Sequence, residues 1–309
     1  SSLERNSLES LSCAGPWSLT DFVSPTHSDH LEATLADYFP SKPSSFKDQW
    51  VSSFNVGSVV PAGYHLIYFN PKNLEHQLSN LDGYDNHQAP GGNYERRMWM
   101  GGSMEFNPTK KLIMGQSSSC MESIEKVSYL DEAETKLSVT IKRLIYNCPQ
   151  KAVSIVDSDW AIKESRSLVY LTSENDDARK DLLNRFMKCP STPAYQHTLT
   201  PSELLLFRYS ALTFNAHKIH YDPEFCKTHE KLPGVVVHGP LACTLLLKWF
   251  TTKILPEGQE IIKFEYRNLV PLFSQKPLIM SCKPSRKNGV YDVWISNHKQ
   301  GLAVLGKIR

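Results

Sequence analysis

Apolar positions recur along this chain in two periods, and the order of the periods sets the first expectation of architecture. Residues 1 to about 20 are Ser-rich and weakly patterned, and read as a mobile lead-in or a peripheral helix. Leu31, Leu35 and Tyr38 then share one helical face, with Ser28 or Asp29 as N-cap and Pro40 and Pro43 to end the helix. Residues 60–69, dense in aromatic and β-branched side chains, read as extended. Residues 70–94 are rich in Asn, Gly, Pro and Asp and read as a long surface loop, either a functional cover or simply mobile. From there the period falls to two, with strands expected at 98–106, 117–127, 136–147, 151–156 and 160–171. In residues 136–147, Leu137, Val139 and Ile141 alternate with Ser, Thr and Lys, the mark of a half-buried antiparallel strand. Gly101-Gly102 reads as turn chemistry, since no helix follows it.

A charged, non-periodic interval at 172–181 and the turn cluster Cys189-Pro-Ser-Thr-Pro193 interrupt this pattern. They divide the chain into a first domain at 1–173, a linker at 174–193 and a second domain at 194–309. The second half repeats the plan of the first. An extended stretch at 194–200 leads to a short helix at 201–211, capped by Ser202 or Thr200, and a second helix starts at Pro240. Strands follow at 260–269, 277–282, 289–296 and 301–308, with Asn288-Gly289 as a hairpin signal. Helix first and long strands afterwards, in both halves, favours an α+β class in which a helix is wrapped by one curved antiparallel sheet.

Composition narrows the partners. The 309 residues leave room for two domains of about 150 each. A net charge of +2 gives no global reason to expect nucleic acid or an anionic membrane. No apolar run reaches the roughly 18 residues of a membrane span. The longest, 241–254, is interrupted by Lys248 and Lys253 and reads as a buried helix. Seven cysteines, odd in number and never spaced C-x-x-C, fit a reducing compartment better than a disulfide framework or a zinc site. Glu4 and Glu9 are unlike an Arg-rich, acid-poor transit peptide.

Candidate chemistry concentrates in residues 208–244. Asn215, His217, His220, Asp222 and Glu224 fall in one short polar loop. Histidine exchanges protons near neutrality, with an unperturbed pKa of about 6.5. His217 and His220 would share a face in a helical turn and could, with Asp222 and Glu224, ligate a metal. There is no HExxH pattern or third ligand at an informative spacing, and a solvated loop in which none acts is the other reading. His238-Gly239-Pro240 opens the next helix. Its free N–H groups favour developing negative charge, and Gly239 lets a carbonyl come close, which is the layout of an oxyanion site. An ordinary helix start beside a buried His fits the same residues.

Tyr209-Ser-Ala-Leu-Thr-Phe-Asn-Ala-His-Lys-Ile-His-Tyr-Asp-Pro-Glu-Phe225, with Val237-His-Gly-Pro240, resembles the motif of the (R)-specific enoyl-thioester hydratases, Gly-Asp-x-Asn-Pro-hydrophobic-His-x-Asp-Pro. The catalytic His of that motif falls on His220, the Asp-Pro on Asp222-Pro223, and the His-Gly on His238-Gly239. Its Gly falls on Phe214, its first Pro on Lys218, its catalytic Asp on Asn215 and its Asn on His217. The Asp-to-Asn change is shared with a branch containing mitochondrial 3-hydroxyacyl-thioester dehydratases type 2 and bacterial mesaconyl-CoA hydratases. Leu81-Asp-Gly-Tyr84 and Arg96-Arg-Met-Trp-Met-Gly-Gly102 are similar to the N-terminal half of those enzymes, so the resemblance spans residues 50–309.

The resemblance implies a tandem, double hot-dog, each half a long helix wrapped by a curved antiparallel sheet, with a degenerate N-terminal half covering the substrate. It implies a hydro-lyase interconverting (3R)-hydroxyacyl and trans-2-enoyl thioesters, with no metal and no cofactor beyond the substrate's pantetheine thioester. In that reading His220 handles the proton, Asn215 orients the hydroxyl or water, and the Gly239 N–H holds the thioester oxygen. His217, Asp222 and His238 support the substrate site. Arg96 and Arg97 meet a phosphate of coenzyme A or of a carrier protein's pantetheine arm, or form only an exposed basic pair. The partner implied is acyl carrier protein in mitochondrial type II fatty-acid synthesis, the chain being a monomer or a homodimer of double hot-dogs. Two rivals stay open: a hydratase of a short CoA thioester such as mesaconyl-CoA, and a non-catalytic acyl-thioester binder, since Asn215 cannot be a proton base.

Overall fold

The computed structural model describes residue 11 and residues 14–40, 52–148, 159–172 and 183–309. Its strands are β1 (Trp17–Phe22), β2 (Tyr94–Phe106), β3 (Ser117–Tyr129), β4 (Lys136–Tyr146), β5 (Ile162–Thr172), β6 (Tyr195–Leu199), β7 (Lys263–Asn268), β8 (Leu278–Pro284), β9 (Tyr291–Ser296) and β10 (Leu302–Ile308). Its helices are α1 (Pro25–Leu35), α2 (Glu203–Leu212), α3 (Pro223–Thr228) and α4 (Gly239–Lys253). The strands form one antiparallel sheet in the order β1-β3-β4-β5-β2-β7-β10-β9-β8-β6. Each half contributes five, and the joint is β2 against β7, from Gly101↔Arg267 to Glu105↔Lys263.

That joint corrects the reading of Gly101-Gly102 as a turn. Both glycines lie in mid-strand, at a register shift between Trp99 and Gly101. A Cβ at 101 would stand 2.4 Å from the Tyr266 carbonyl oxygen, and one at 102 would stand 2.0 Å from that of Ser165. Two neighbouring backbones therefore pass closer here than any side chain permits.

Helix α4 is apolar around most of its first three turns because those turns are covered. Leu241 to Leu247, Trp249 and Phe250 are all buried and share one core with Phe264, Met280, Trp294 and Ile295 of the second half's strands. The same core includes Leu31 and Leu35 of α1, so the two halves are not separate hydrophobic units. Ser202 caps α2 as expected, its hydroxyl accepting from the Leu205 N–H at 3.0 Å. In each half helical segments pack inside the antiparallel sheet, which is the double hot-dog arrangement.

The first half departs from expectation in three places. Helix α1 starts at Pro25, ahead of Ser28 and Asp29; proline supplies the first-turn dihedral, and Ser28 is an interior position bonded to the Tyr68 hydroxyl at 2.8 Å. Residues 60–69 are not a strand. Tyr64–Ile67 form a single 3-10 turn, wholly buried, entered through Gly63 at φ 89. Their aromatic and branched side chains signal burial on all sides rather than extension. Finally, the end of the stretch up to about residue 20 that reads as a mobile lead-in or a peripheral helix belongs instead to edge strand β1, which pairs with β3. There Asp21 points inward to accept from the Phe69 N–H at 3.0 Å, while Phe22 faces solvent. This inversion hides the strand's period. The strand expected at 151–156 and residues 174–182 of the linker lie outside the described residues.

Candidate active site

The chain leaves α2 by a sharp reversal. Phe214 takes a left-handed backbone (φ 52), which lets the Asn215 N–H return to the Ser210 carbonyl at 2.8 Å. Left-handed backbone is costly for any residue with a Cβ and cheap for glycine, which explains the glycine of the related motif at this position. The Asn215 Oδ1 accepts from the His217 N–H at 3.0 Å. Because an N–H can only donate, the side-chain oxygen is committed and the amide NH2 is left to serve as donor.

His220 follows at the end of a 3-10 turn, Lys218–His220, and is buried. Its Nδ1 stands 2.8 Å from the Val236 carbonyl, which can only accept. Nδ1 thus carries the proton, and in the neutral ring Nε2 is a bare base. Burial pushes the His220 pKa down to about 3; the neighbouring His217 and Arg97 push the same way, while the Val236 bond opposes them. His238, also buried and also held well below the ordinary value by burial and by His220 and His217, stacks face to face on His220 at 3.6 Å and 18°. Its Nε2 meets the Ser210 hydroxyl at 2.8 Å, and its Nδ1 has no hydrogen-bond partner. His217 packs edge-on against His220 at 5.5 Å, so the three imidazoles form one cluster.

Gly239 is the first residue of α4, where N–H groups have no partner within the helix. A Cβ there would lie 3.2 Å from Asn268 Nδ2 and 3.3 Å from the Trp99 side chain. Glycine is therefore what lets β2 of the first half close over the helix start.

A cavity of about 500 Å³ opens between the halves. Asn215, Ser210, His238 and Pro240 form its wall on the second half, with Leu66, Trp99, Ile141 and Leu168 supplying apolar surface from the first. Arg97 is in the wall too, its guanidinium 3.5 Å above the Tyr84 ring and Nη1 3.4 Å from the Tyr170 hydroxyl. His220 stands behind His238, and Gly239 lies beside Pro240, next to the wall rather than in it. The strand's alternation separates the two arginines. Arg96 faces away and pairs with Glu230, Nε to Oε2 3.8 Å. Asp222 is the N-cap of α3, accepting from the Phe225 N–H at 2.9 Å, and builds the turn rather than the cavity. Among the described residues no group of three His, Cys, Asp or Glu side chains is placed to hold a metal ion.

Sequence reasoning missed the first half's own polar groups. Asp82 reaches across to His217, Oδ2 to Nε2 3.1 Å. Deeper in, Arg143 is fully buried between Glu122 (2.6 Å) and Glu164 (2.9 Å), and Arg166, a wall residue, closes on Glu164 at 2.6 Å. A signal was present. In β4 the inward series Leu137, Val139, Ile141 continues to position 143, where alternation puts an arginine inside.

The family model described as hydroxyacyl-thioester dehydratase type 2 matches residues 63–274. The chain is 30% identical over 290 residues to a protein of Schizosaccharomyces pombe named hydroxyacyl-thioester dehydratase type 2, mitochondrial, covering 84% of this chain and 87% of that one. It is 31% identical over 234 residues to the mesaconyl-C(4)-CoA hydratase of Chloroflexus aurantiacus, covering 74% and 76%. Among solved structures, a MaoC-like dehydratase from Phytophthora capsici superposes over 97% of this chain and 96% of that one with a TM-score of 0.65 at 11% identity. A Mycobacterium tuberculosis protein described as having a double hot-dog fold does so over 95% and 94% with a TM-score of 0.55 at 9% identity. These structures share the fold; the sequence relatives and the family model carry the activity. The chain belongs to the hydroxyacyl-thioester dehydratase family of double hot-dog hydro-lyases, which dehydrate or hydrate acyl thioesters.

Proposed function

We propose that this enzyme interconverts (3R)-hydroxyacyl and trans-2-enoyl thioesters carried on acyl carrier protein, in mitochondrial type II fatty-acid synthesis. The observation that carries the chemistry is His220: driven neutral by burial, with its tautomer set by the Val236 carbonyl at Nδ1, which leaves Nε2 a bare base. His220 removes the C2 proton in dehydration and returns it in hydration. The Asn215 NH2 holds the C3 hydroxyl or the attacking water. The Gly239 N–H, at the positive end of α4, stabilises the thioester oxygen as it becomes enolate-like. His238 fixes the His220 ring by stacking, His217 fixes Asn215 through its backbone, and Asp222 holds the turn that carries His220. Arg97, in the cavity wall, is placed to meet a pantetheine or coenzyme A phosphate; Arg96, turned to Glu230, contributes charge at a distance.

The carrier-bound substrate and the mitochondrial setting are supported by the name of the S. pombe relative and of a Saccharomyces cerevisiae one at 27% identity over 256 residues. A second reading, hydration of a short CoA thioester with a polar acyl end, is favoured by the C. aurantiacus relative and by Arg166 and Glu122 in the cavity wall. Turnover of crotonyl and decenoyl groups, each presented on carrier protein and on coenzyme A, separates the two. The first reading predicts higher kcat/KM for carrier-bound decenoyl; a preference for CoA-bound crotonyl supports the second. As a double hot-dog the chain contains internally the pairing of two hot-dog units, so a monomer or a dimer of it is consistent with the site.

A further inference from the structure

Dehydration needs two proton events, removal from C2 and delivery to the departing C3 oxygen. A neutral His220 performs the first. The amide of Asn215 has no titratable proton for the second, and the carboxylate that the related motif carries at this position is absent. Resting on the thioester reading above, we propose that the donor is His217, held in that role by Asp82 of the first half, a positioning residue that replaces the missing carboxylate across the joint.

The contact is built rather than incidental. Asp82 Oδ2 stands 3.1 Å from His217 Nε2, with 15% and 12% of the two side chains exposed. The loop carrying Asp82 is clamped to the His217 loop by backbone and side chain. The Lys218 N–H donates to the Asp82 carbonyl at 2.7 Å, and Lys218 Nζ donates to the Leu81 carbonyl at 2.8 Å. Between them Gly83 takes φ +73, and a Cβ there would be 2.4 Å from the Ala216 carbonyl oxygen. Only glycine allows the loops this close. Asp82 itself feels burial pushing its carboxyl up, but the hydrogen bond and charge of His217, with the Ser79 hydroxyl, outweigh it and hold Asp82 below its ordinary value.

His217 is flanked by Asp82 and the Tyr84 ring (4.9 Å) from the first half's loop, and Arg97 lies over that ring from β2. His220 (5.5 Å) adjoins it on its own loop, where the Tyr221 hydroxyl donates to the Ala216 carbonyl, and His238 lies one ring further at the start of α4. Asp82 is the carboxylate in direct contact with it. In the step proposed, the C2–H bond breaks toward His220 Nε2 and its electron pair forms the C2=C3 bond. The C3–O bond breaks with its pair on oxygen, and the imidazolium of His217, keeping its Nε2 proton on Asp82, gives its other ring proton to that oxygen to make water and become neutral. His220 then returns its proton to His217, and no other reagent is consumed.

The test is steady-state dehydration and its pH profile for Asp82→Asn, Asp82→Glu, His217→Gln and the Asp82→Asn/His217→Gln double variant, alongside wild type and His220→Ala. Asp82→Asn keeps the shape and an acceptor oxygen but removes the charge. It should lower kcat roughly 10²-fold with little change in KM, and move the alkaline limb of the profile to lower pH, because the imidazolium has lost its counter-charge. Asp82→Glu should restore part of the rate, and the double variant should lose no more than His217→Gln alone. A wild-type rate and alkaline limb in Asp82→Asn, or losses that multiply in the double variant, would overturn the pairing. If wild type is active and His220→Ala is not, the thioester reading stands and the Asp82 variants alone decide the inference. A wild-type protein inactive on every thioester would sink both.

Discussion

The two halves give five described strands each to one sheet, yet the polar groups they bury beside the cavity differ in character. In the first half Arg143, Glu122, Glu164 and Arg166 form one network of ion pairs, in which Arg143 also donates to the Phe69 carbonyl and Glu122 accepts from Gln88. Glu164 shows the balance. Burial drives its carboxyl up, but Arg166 and Arg143 override this and hold it down at about 2. In the second half, His220 and His238 are driven neutral by burial, and each keeps a ring nitrogen unengaged by protein. A network that satisfies itself can support a wall but cannot exchange a proton with a substrate. The helices make the same point. Helix α4 starts beside the cavity wall at Gly239-Pro240, whereas the first half meets that wall with Leu66 of the single turn Tyr64–Ile67.

The strongest way to break the contrast is to unbalance the ionic half. Arg143→Met leaves Glu122 and Glu164 buried without their shared partner and should cost about 3–5 kcal/mol, measured by chemical denaturation. A loss under about 1 kcal/mol would mean that the network is not held by its charges. Next comes the contact between halves. Gly83→Ala forces the Asp82 loop away from Ala216 and should lower kcat on the order of 10²-fold, as displacements near 1 Å do, while the fold persists by circular dichroism.

A third prediction compares one buried imidazole from each half. Burial, the leading cause, lowers the pKa of His65 to about 4, and that of His220 to about 3. Between these values and the ordinary 6.5 the unfolded chain binds protons that the folded chain refuses. Stability is therefore full above about pH 6.5 and falls as pH drops toward 4, each histidine contributing up to about 1.4 kcal/mol per pH unit. Melting temperature followed from pH 7 to 4.5 should fall for wild type and fall less steeply for His65→Phe. An unchanged slope in that variant would remove His65 from the account. The smallest expected effect is at the reversal after α2. Phe214→Gly should raise stability by about 0.5–1 kcal/mol in thermal melts, since the backbone there is left-handed and the side chain is largely exposed.

Much of this was legible in the chain because burial and period coincide in the second half. The apolar run at 241–254 and the alternation from 260 onward each correspond to an element. His220, Asn215 and Gly239, the residues of the proposed site, could be read together because all three lie within a short span of sequence. What escaped was whatever depends on contacts distant in sequence. Asp82 and His217 are joined only by the fold, Asp21 points inward to reach Phe69, and residues 60–69 are buried on all sides and so lose any periodic signature. Arg96 and Arg97 look like one basic pair on the page, and a strand turns them to opposite faces.

The central claim is that the proton chemistry belongs to the second half and to His220. It is tested most directly by following the absorbance of a trans-2-enoyl thioester during hydration by wild type and by His220→Ala. The account predicts a loss of roughly 10²–10⁴-fold in kcat in the variant, with folding intact. Wild-type turnover by His220→Ala would contradict it.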